Sequence, residues 1–127
     1  MQAAKYNLFY ILYYITMETL NTRYNFNFSI WFDDKDEKKQ IKSDSEILET
    51  VKKLTSKFLG FWTISKVNEG VYTYADGDLA IEKSVNVNFK SQNFDRLQIR
   101  TYIENLKKQL NQESILFSYT KEVVNFL

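Results

Sequence analysis

The sequence contains no cysteine, no histidine and no proline, and only three glycines: Gly60, Gly70 and Gly77. Each absence closes a class of chemistry. Without cysteine there are no disulfides, thiolate zinc sites or thiol nucleophiles, and without histidine there is no imidazole acid–base chemistry. Three scattered glycines build neither a P-loop nor a dinucleotide fingerprint. The lack of cysteine says of the compartment only that an oxidising one is not needed. A strong charge of either sign is also missing: 17 basic against 16 acidic residues leave a net +1. That balance argues against a grip on a nucleic acid polymer, which needs clustered cations facing phosphates.

What is present is apolar and aromatic. Hydrophobic residues make up 44% and aromatics 17% of 127 residues, enough for one domain with a single core and too much for disorder. Lysine outnumbers arginine 14 to 3, and Asn, Tyr, Phe and Ile are abundant. These residues have AT-rich codons, which points to a low-GC bacterium or its phage.

The first sixteen residues form an apolar extension, too short to span a bilayer, which takes about 20 residues. A single lysine precedes the apolar run and no small-residue cleavage site follows, so it resembles a signal peptide only loosely. It reads either as an upstream extension of a start at Met17 or as a genuine element that packs or oligomerises. A membrane anchor is the third reading. The domain proper is expected over residues 17–127.

Residues 24–32 alternate cleanly, with Tyr24, Phe26, Phe28, Ile30 and Phe32 on one face and Asn25, Asn27 and Ser29 on the other. That is a half-buried strand. The charged run 33–39, DDKDEKK, reads as a solvated loop. Its acids Asp33, Asp34, Asp36 and Glu37 are interleaved with lysines and lack calcium-loop spacing. Ser43 and Glu46 then form a capping box for a helix with Ile47, Val51, Leu54 and Phe58 on one stripe. Gly60 stands where a left-handed C-terminal residue is wanted.

The stretch GVYTYADGDLAIEKSVNVNF, residues 70–89, is two alternating runs joined at Asp76 and Gly77, a strong hairpin signal. Counting back from a two-residue turn pairs Tyr74 with Leu79, Tyr72 with Ile81 and Gly70 with Lys83. The last rung then reads as a bend or bulge, beyond which the tip carries Tyr72, Tyr74 and Glu82 away from the sheet. A second helix is expected over 94–110, capped by Asn93 or Ser91, with Ile99, Ile103, Leu106 and Leu110 inward. A strand over 114–119 and an apolar tail over 123–127 follow. Strand, helix, two strands, helix, strand is the ferredoxin-like α+β order βαββαβ, with an antiparallel sheet and two helices.

Candidate sites are of two kinds. Arg96, Arg100 and Lys107 line one edge of the second helix's stripe, and two of the three arginines lie one turn apart. Arginine forks suit phosphate or carboxylate. The plainer reading is a surface pair between Arg100 and Glu104. Trp31, Trp62, Tyr72 and Tyr74 exceed what a small core needs, and exposed rings stack nucleobases. Core packing and a subunit interface are the plainer readings there. Among Asp76, Asp78 and Glu82, the turn already accounts for Asp76, which weakens a catalytic carboxylate pair.

WFDDKDEKKQ, GVYTYADG with Glu82 beyond it, and LKKQLNQESILF resemble the layout of small phage and bacterial proteins over residues 24–119. Phage proteins of this form are similar to anti-defence sponges, such as the anti-Thoeris and anti-CBASS proteins. The resemblance implies a cytoplasmic homo-oligomer that sequesters a cyclic nucleotide or cyclic ADP-ribose signal without cleaving it. It implies aromatics on the base and arginines on the phosphates: Arg96, Arg100, Lys107, Trp62, Tyr72 and Tyr74. No cofactor, metal, membrane or nucleic acid polymer is expected. The alternative is a protein–protein inhibitor or assembly module acting through the aromatic hairpin or an open sheet edge. An RNA-binding sheet is a third reading, but no stretch carries its basic–aromatic motif. An enzyme ranks below all three.

Overall fold

The computed structural model describes residues 22–73 and 76–124, together with 8, 11 and 12. The sheet grows outward from β1 (Thr22–Trp31), whose alternating residues Phe26, Phe28 and Ile30 are buried with the following Phe32. The chain continues through α1 (Asp44–Phe58), β2 (Trp62–Ile64), β3 (Asn68–Thr73), β4 (Leu79–Ser91), α2 (Arg96–Leu110) and β5 (Leu116–Val123). The sheet order is β2-β4-β1-β5, with β3 also paired to β4, and every pairing is antiparallel. Taking β2 and β3 as one interrupted strand, this is the ferredoxin-like fold.

Both helices lie on the face that carries Phe26, Phe28, Val85, Val87 and Phe89. Ser43 caps α1, its hydroxyl accepting from the Glu46 amide at 3.2 Å, and Ile47, Val51 and Leu54 point into the core with Phe58 half-buried. From α2 come Ile99, Leu106 and Leu110, with Ile103 half-buried, and Tyr102, which the apolar stripe did not reveal. The opposite face is polar. Asn88 donates to Asn25 and Asn27, and Ser29 donates to Asn86 at 2.7 Å.

Several expectations are corrected. Gly60 is not left-handed, because α1 leaves through Leu59 in an extended conformation (φ −115°) and enters β2 within three residues. Burial of Leu59 holds that exit. The left-handed cap belongs instead to Asn111, at the end of α2. Neither Asn93 nor Ser91 caps α2. Asp95 does, accepting from the Gln98 amide at 3.0 Å, because Phe94 is drawn against the ring cluster of β1 and β5. Phe94 and Ile99 stand at the N′ and N4 positions, those of a hydrophobic staple. The last strand runs Leu116–Val123, longer and later than 114–119, and the end of the expected tail lies outside the described residues. So does most of the N-terminal extension.

The hairpin register differs by one from the turn-based count. Thr73, not Tyr74, faces Leu79; Val71 faces Ile81, Gly70 faces Glu82 and Glu69 faces Lys83. Asp76 and Gly77 do turn, with Gly77 at φ 90° and Asp76 accepting from the Asp78 amide. The pairing of Thr73 with Leu79 encloses five residues, an odd number that a two-residue turn cannot give, so every rung is displaced by one. The irregularity lies lower, at 65–67, where three residues oppose two of β4. Ser65 bridges the gap, donating its amide to the Asn86 carbonyl and accepting the Asn86 amide.

Gly70 lies against the Trp31 indole. A Cβ there would lie 3.4 Å from Cζ3 of Trp31, whose indole lies across the strand. Gly70→Ala is therefore expected to be tolerated, while Gly70→Val should displace the indole. The check is intrinsic fluorescence: a shift of the tryptophan emission in the valine variant and an unchanged spectrum for alanine.

Candidate functional site

Two concave regions are built by different parts of the fold. The first lies where β1 ends, between the 33–39 loop, the hairpin and the end of α2. Its volume is about 620 Å³, and Trp31, Asp33, Lys35, Lys38 and Glu82 line it. That is the size range of small-molecule sites.

The loop, expected to be solvated, is organised around a buried carboxylate. Asp34 is 5% exposed and accepts the amides of Asp36 and Glu37, both at 3.0 Å, and the Asn111 side-chain amide at 2.8 Å. These bonds hold its carboxyl below the usual aspartate range, the Glu37 amide and Asn111 contributing most. Lys38 completes the turn in a left-handed conformation, its amide donating to the Asp34 carbonyl. Gln112 donates to the Asp33 carbonyl at 2.6 Å, tying the loop to the end of α2. The spacing of charges along the sequence carries no sign of the burial, because Asn111 and Gln112, which close over the loop, lie 77 and 79 residues from their partners.

A folded carboxyl pKa below the unfolded one stabilises the native state above the unfolded value. Asp34 should therefore support the fold at neutral pH and lose that contribution as pH falls below the ordinary value of 3.8. Asp34→Ala is expected to lower Tm at pH 7 and to flatten the acid limb of a Tm–pH curve. A variant whose acid limb matches the wild type would overturn this role.

Asp33 and Glu82 are placed differently. Burial pushes the Glu82 carboxyl above its usual range, the charge of Asp33 pushes it further, and the Asp33 amide offsets part of the rise. Burial also raises Asp33. Asp76, occupied in its turn, takes no part in this pair. Lys83 points to the helix face and pairs with Asp44 at the start of α1 at 3.1 Å, fixing the base of the hairpin. Among the described residues, no group of three or more acidic side chains is arranged to hold a metal ion.

The second region is an open groove of about 360 Å³ between α2 and β5. Its floor is Phe94, Ile99, Ile103, Phe117 and Tyr119, and Arg96 and Arg100 stand at its rim. Arg96 lies over the Phe94 ring at 5.8 Å. Glu104, the expected partner of Arg100, instead pairs with Lys107 at 3.6 Å.

The six residues proposed from sequence are thus dispersed. Arg96 and Arg100 share the groove. Lys107 does not line it. Trp62 packs half-buried on β2, at the opposite edge of the sheet from β5. Tyr72 belongs to β3, paired with Ala80, while its side chain and all of Tyr74 lie outside the described residues. The aromatics that actually accompany the arginines are Phe94, Phe117 and Tyr119. The alternation of β5 carries the last two, without marking them as site residues.

No protein-family model matches the sequence, and no curated protein matches it closely enough to count as a relative. Among solved structures, the chain is similar to a phage SAM lyase in complex with S-methyl-5′-thioadenosine. That likeness has 15% identity and a TM-score of 0.53, over 77% of this chain and 80% of the other. Weaker likenesses are to CutA from Synechococcus elongatus (10% identity, TM-score 0.48, 81% and 79% covered) and to the B. subtilis GlnK–ATP complex (12%, 0.45, 79% and 83%). At these identities the likeness is one of fold. No helix among the described residues is long and apolar enough to cross a membrane.

Proposed function

We propose that this protein binds a nucleoside- or nucleotide-derived small molecule in the cleft between Trp31 and Glu82, and sequesters it without cleavage, as a mobile-element protein countering host defence would. The observation that carries the reading is the convergence, in one cleft of about 620 Å³, of an indole, two lysines and four acidic residues, of which Asp33 and Glu82 are held above their usual range. The indole offers a face to a base, and the mixed charges suit a ligand bearing both signs. The phage enzyme that shares this fold is described with a bound thioadenosine, which supports a nucleoside as the first class to try. The arginine groove does not serve the same ligand within one protomer. Phe26, which packs on Phe94, lies roughly 17 Å along β1 from Trp31.

A second reading, turnover instead of storage, is favoured by Glu82. A carboxyl raised by burial and a neighbouring charge is suited to exchanging a proton at a reacting centre. One experiment separates the two. Purified protein is screened by thermal shift against S-methyl-5′-thioadenosine, SAM, cyclic dinucleotides and cyclic ADP-ribose isomers, and each ligand is recovered after incubation. A ligand at about 100 times its Kd stabilises by about 2.7 kcal/mol, a shift of several degrees. Intact recovery supports sequestration, while products replace it with catalysis. Glu82→Gln should abolish the shift yet raise the Tm of the free protein, since it removes a half-buried carboxylate facing Asp33. A Tm that falls, or an undiminished ligand shift, would remove Glu82 from the site.

A further inference from the structure

The groove between α2 and β5 has a property that a small-molecule pocket does not need: one of its walls is a free sheet edge. β5 pairs with β1 alone, so its other edge presents unpaired amides and carbonyls among the described residues. Such an edge is a template for a further strand unless it is blocked. The devices that block edges are sparse here. The chain has no proline, and the charged residues Lys121 and Glu122 guard only the C-terminal half of β5. From Leu116 to Thr120 the strand carries no charge, and Leu116 and Tyr119 are more than half exposed.

The helix beside that edge presents a matching stripe. Arg96, Ile99, Arg100 and Ile103 follow the i, i+3, i+4, i+7 spacing that puts them on one stripe, and all four line the groove. A strand added to β5 would lie about 4.8 Å from it and turn alternate side chains towards this stripe. Those side chains recur about every 6.8 Å, and Arg96 and Arg100 are separated by about 6 Å along the helix axis. Two acidic side chains two residues apart therefore meet the two guanidiniums. The next side chain on that face comes over Ile103. Arg100 has no ion-pair partner among the described residues, since Glu104 is engaged by Lys107.

We propose that this groove docks an extended segment of a partner protein by strand addition to β5. The segment reads acidic–x–acidic–x–apolar, with the acidic pair on Arg96 and Arg100 and the apolar residue over Ile103. Main-chain bonds to the edge provide affinity, and the helix stripe provides specificity. The proposal concerns a site distinct from the Trp31–Glu82 cleft and stands or falls independently of ligand binding there.

The test uses the full chain and two fluorescein-labelled peptides, Thr-Glu-Thr-Glu-Thr-Ile-Thr-Ser and the same peptide with lysine in place of both glutamates. Fluorescence anisotropy is expected to show saturable binding of the glutamate peptide only. Arg96→Glu and Arg100→Glu should each weaken it at least about tenfold, as the loss of a charge-assisted bond does. The double charge-reversal variant should prefer the lysine peptide. Because a surface cation pair alone would attract glutamate, amide hydrogen exchange is measured as well, and slowed exchange within β5 on peptide addition is the expected result. Four outcomes would overturn the proposal. They are no binding, binding untouched by the charge reversals, binding without new protection in β5, and protection of β5 that rises with protein concentration in the absence of peptide. The last would assign the edge to a second copy of the chain.

Discussion

Tyr102→Ala is expected to destabilise the protein by about 3–5 kcal/mol, lowering Tm by roughly 10–20 °C. Tyr102 is wholly buried between the two helices and the sheet, its ring edge-on to Phe28 at 5.0 Å and tilted against Phe58 at 6.4 Å. Truncation would leave a ring-sized cavity among side chains fixed by β1 and both helices, where collapse is restricted. Against a total stability of about 5–15 kcal/mol, that is a large fraction. The hydroxyl adds a smaller part. Thr55 donates to the Val51 carbonyl at 2.5 Å, so at the 2.8 Å contact between the two hydroxyls Tyr102 is the donor. Tyr102→Phe removes that bond while Thr55 keeps its acceptor, and should cost only about 1 kcal/mol. Urea denaturation of the three proteins checks both figures. Equal losses for alanine and phenylalanine would mean that the hydroxyl pair, not ring packing, joins the helices.

The same buried phenol should make the protein labile to alkali. Burial pushes the Tyr102 hydroxyl up from 10.0 to about 12. For an acid whose folded pKa lies above its unfolded one, the native state gains nothing from ionisation where the unfolded chain already does. Stability present below the unfolded value is therefore lost between about pH 10 and pH 12. The two-unit difference corresponds to about 3 kcal/mol at the top of that range. A Tm–pH curve from pH 9 to 12 should fall more steeply for the wild type than for Tyr102→Phe. Parallel curves would show that lysines and the exposed tyrosines govern the alkaline limit.

The two regions make different demands on the fold. The cleft at Trp31 and Glu82 is bordered by the paired strands and by a loop tied to the end of α2. Its carboxyls are therefore held in place at the cost of raised pKa values. The α2–β5 groove depends on the staple position of Phe94 and on the bare edge of β5. Neither depends on Trp62, which supports the core from the far edge of the sheet.

Signals carried by neighbouring residues were legible in the sequence itself. The alternation around Phe26, Phe28 and Ile30, the Ser43 cap, the stripe of α1 and the turn at Gly77 each reflect physics within one or two turns of chain. Their order was enough to define the ferredoxin-like topology. Tertiary structure decided the rest. The one-residue shift of the hairpin, and the irregularity at 65–67 that displaces β2 by one more, belong to strand pairing, which alternation cannot register. Asp34 looked like a solvated charge until Asn111 and two amides of a left-handed turn surrounded it. Arg96 and Arg100 were visible as a pair, but their aromatic neighbours were not, because Phe94, Phe117 and Tyr119 reach them only once β5 lies beside α2. Local chemistry sets which elements form, whereas a site is a meeting of side chains distant in sequence, and that meeting exists only after the sheet has chosen its register.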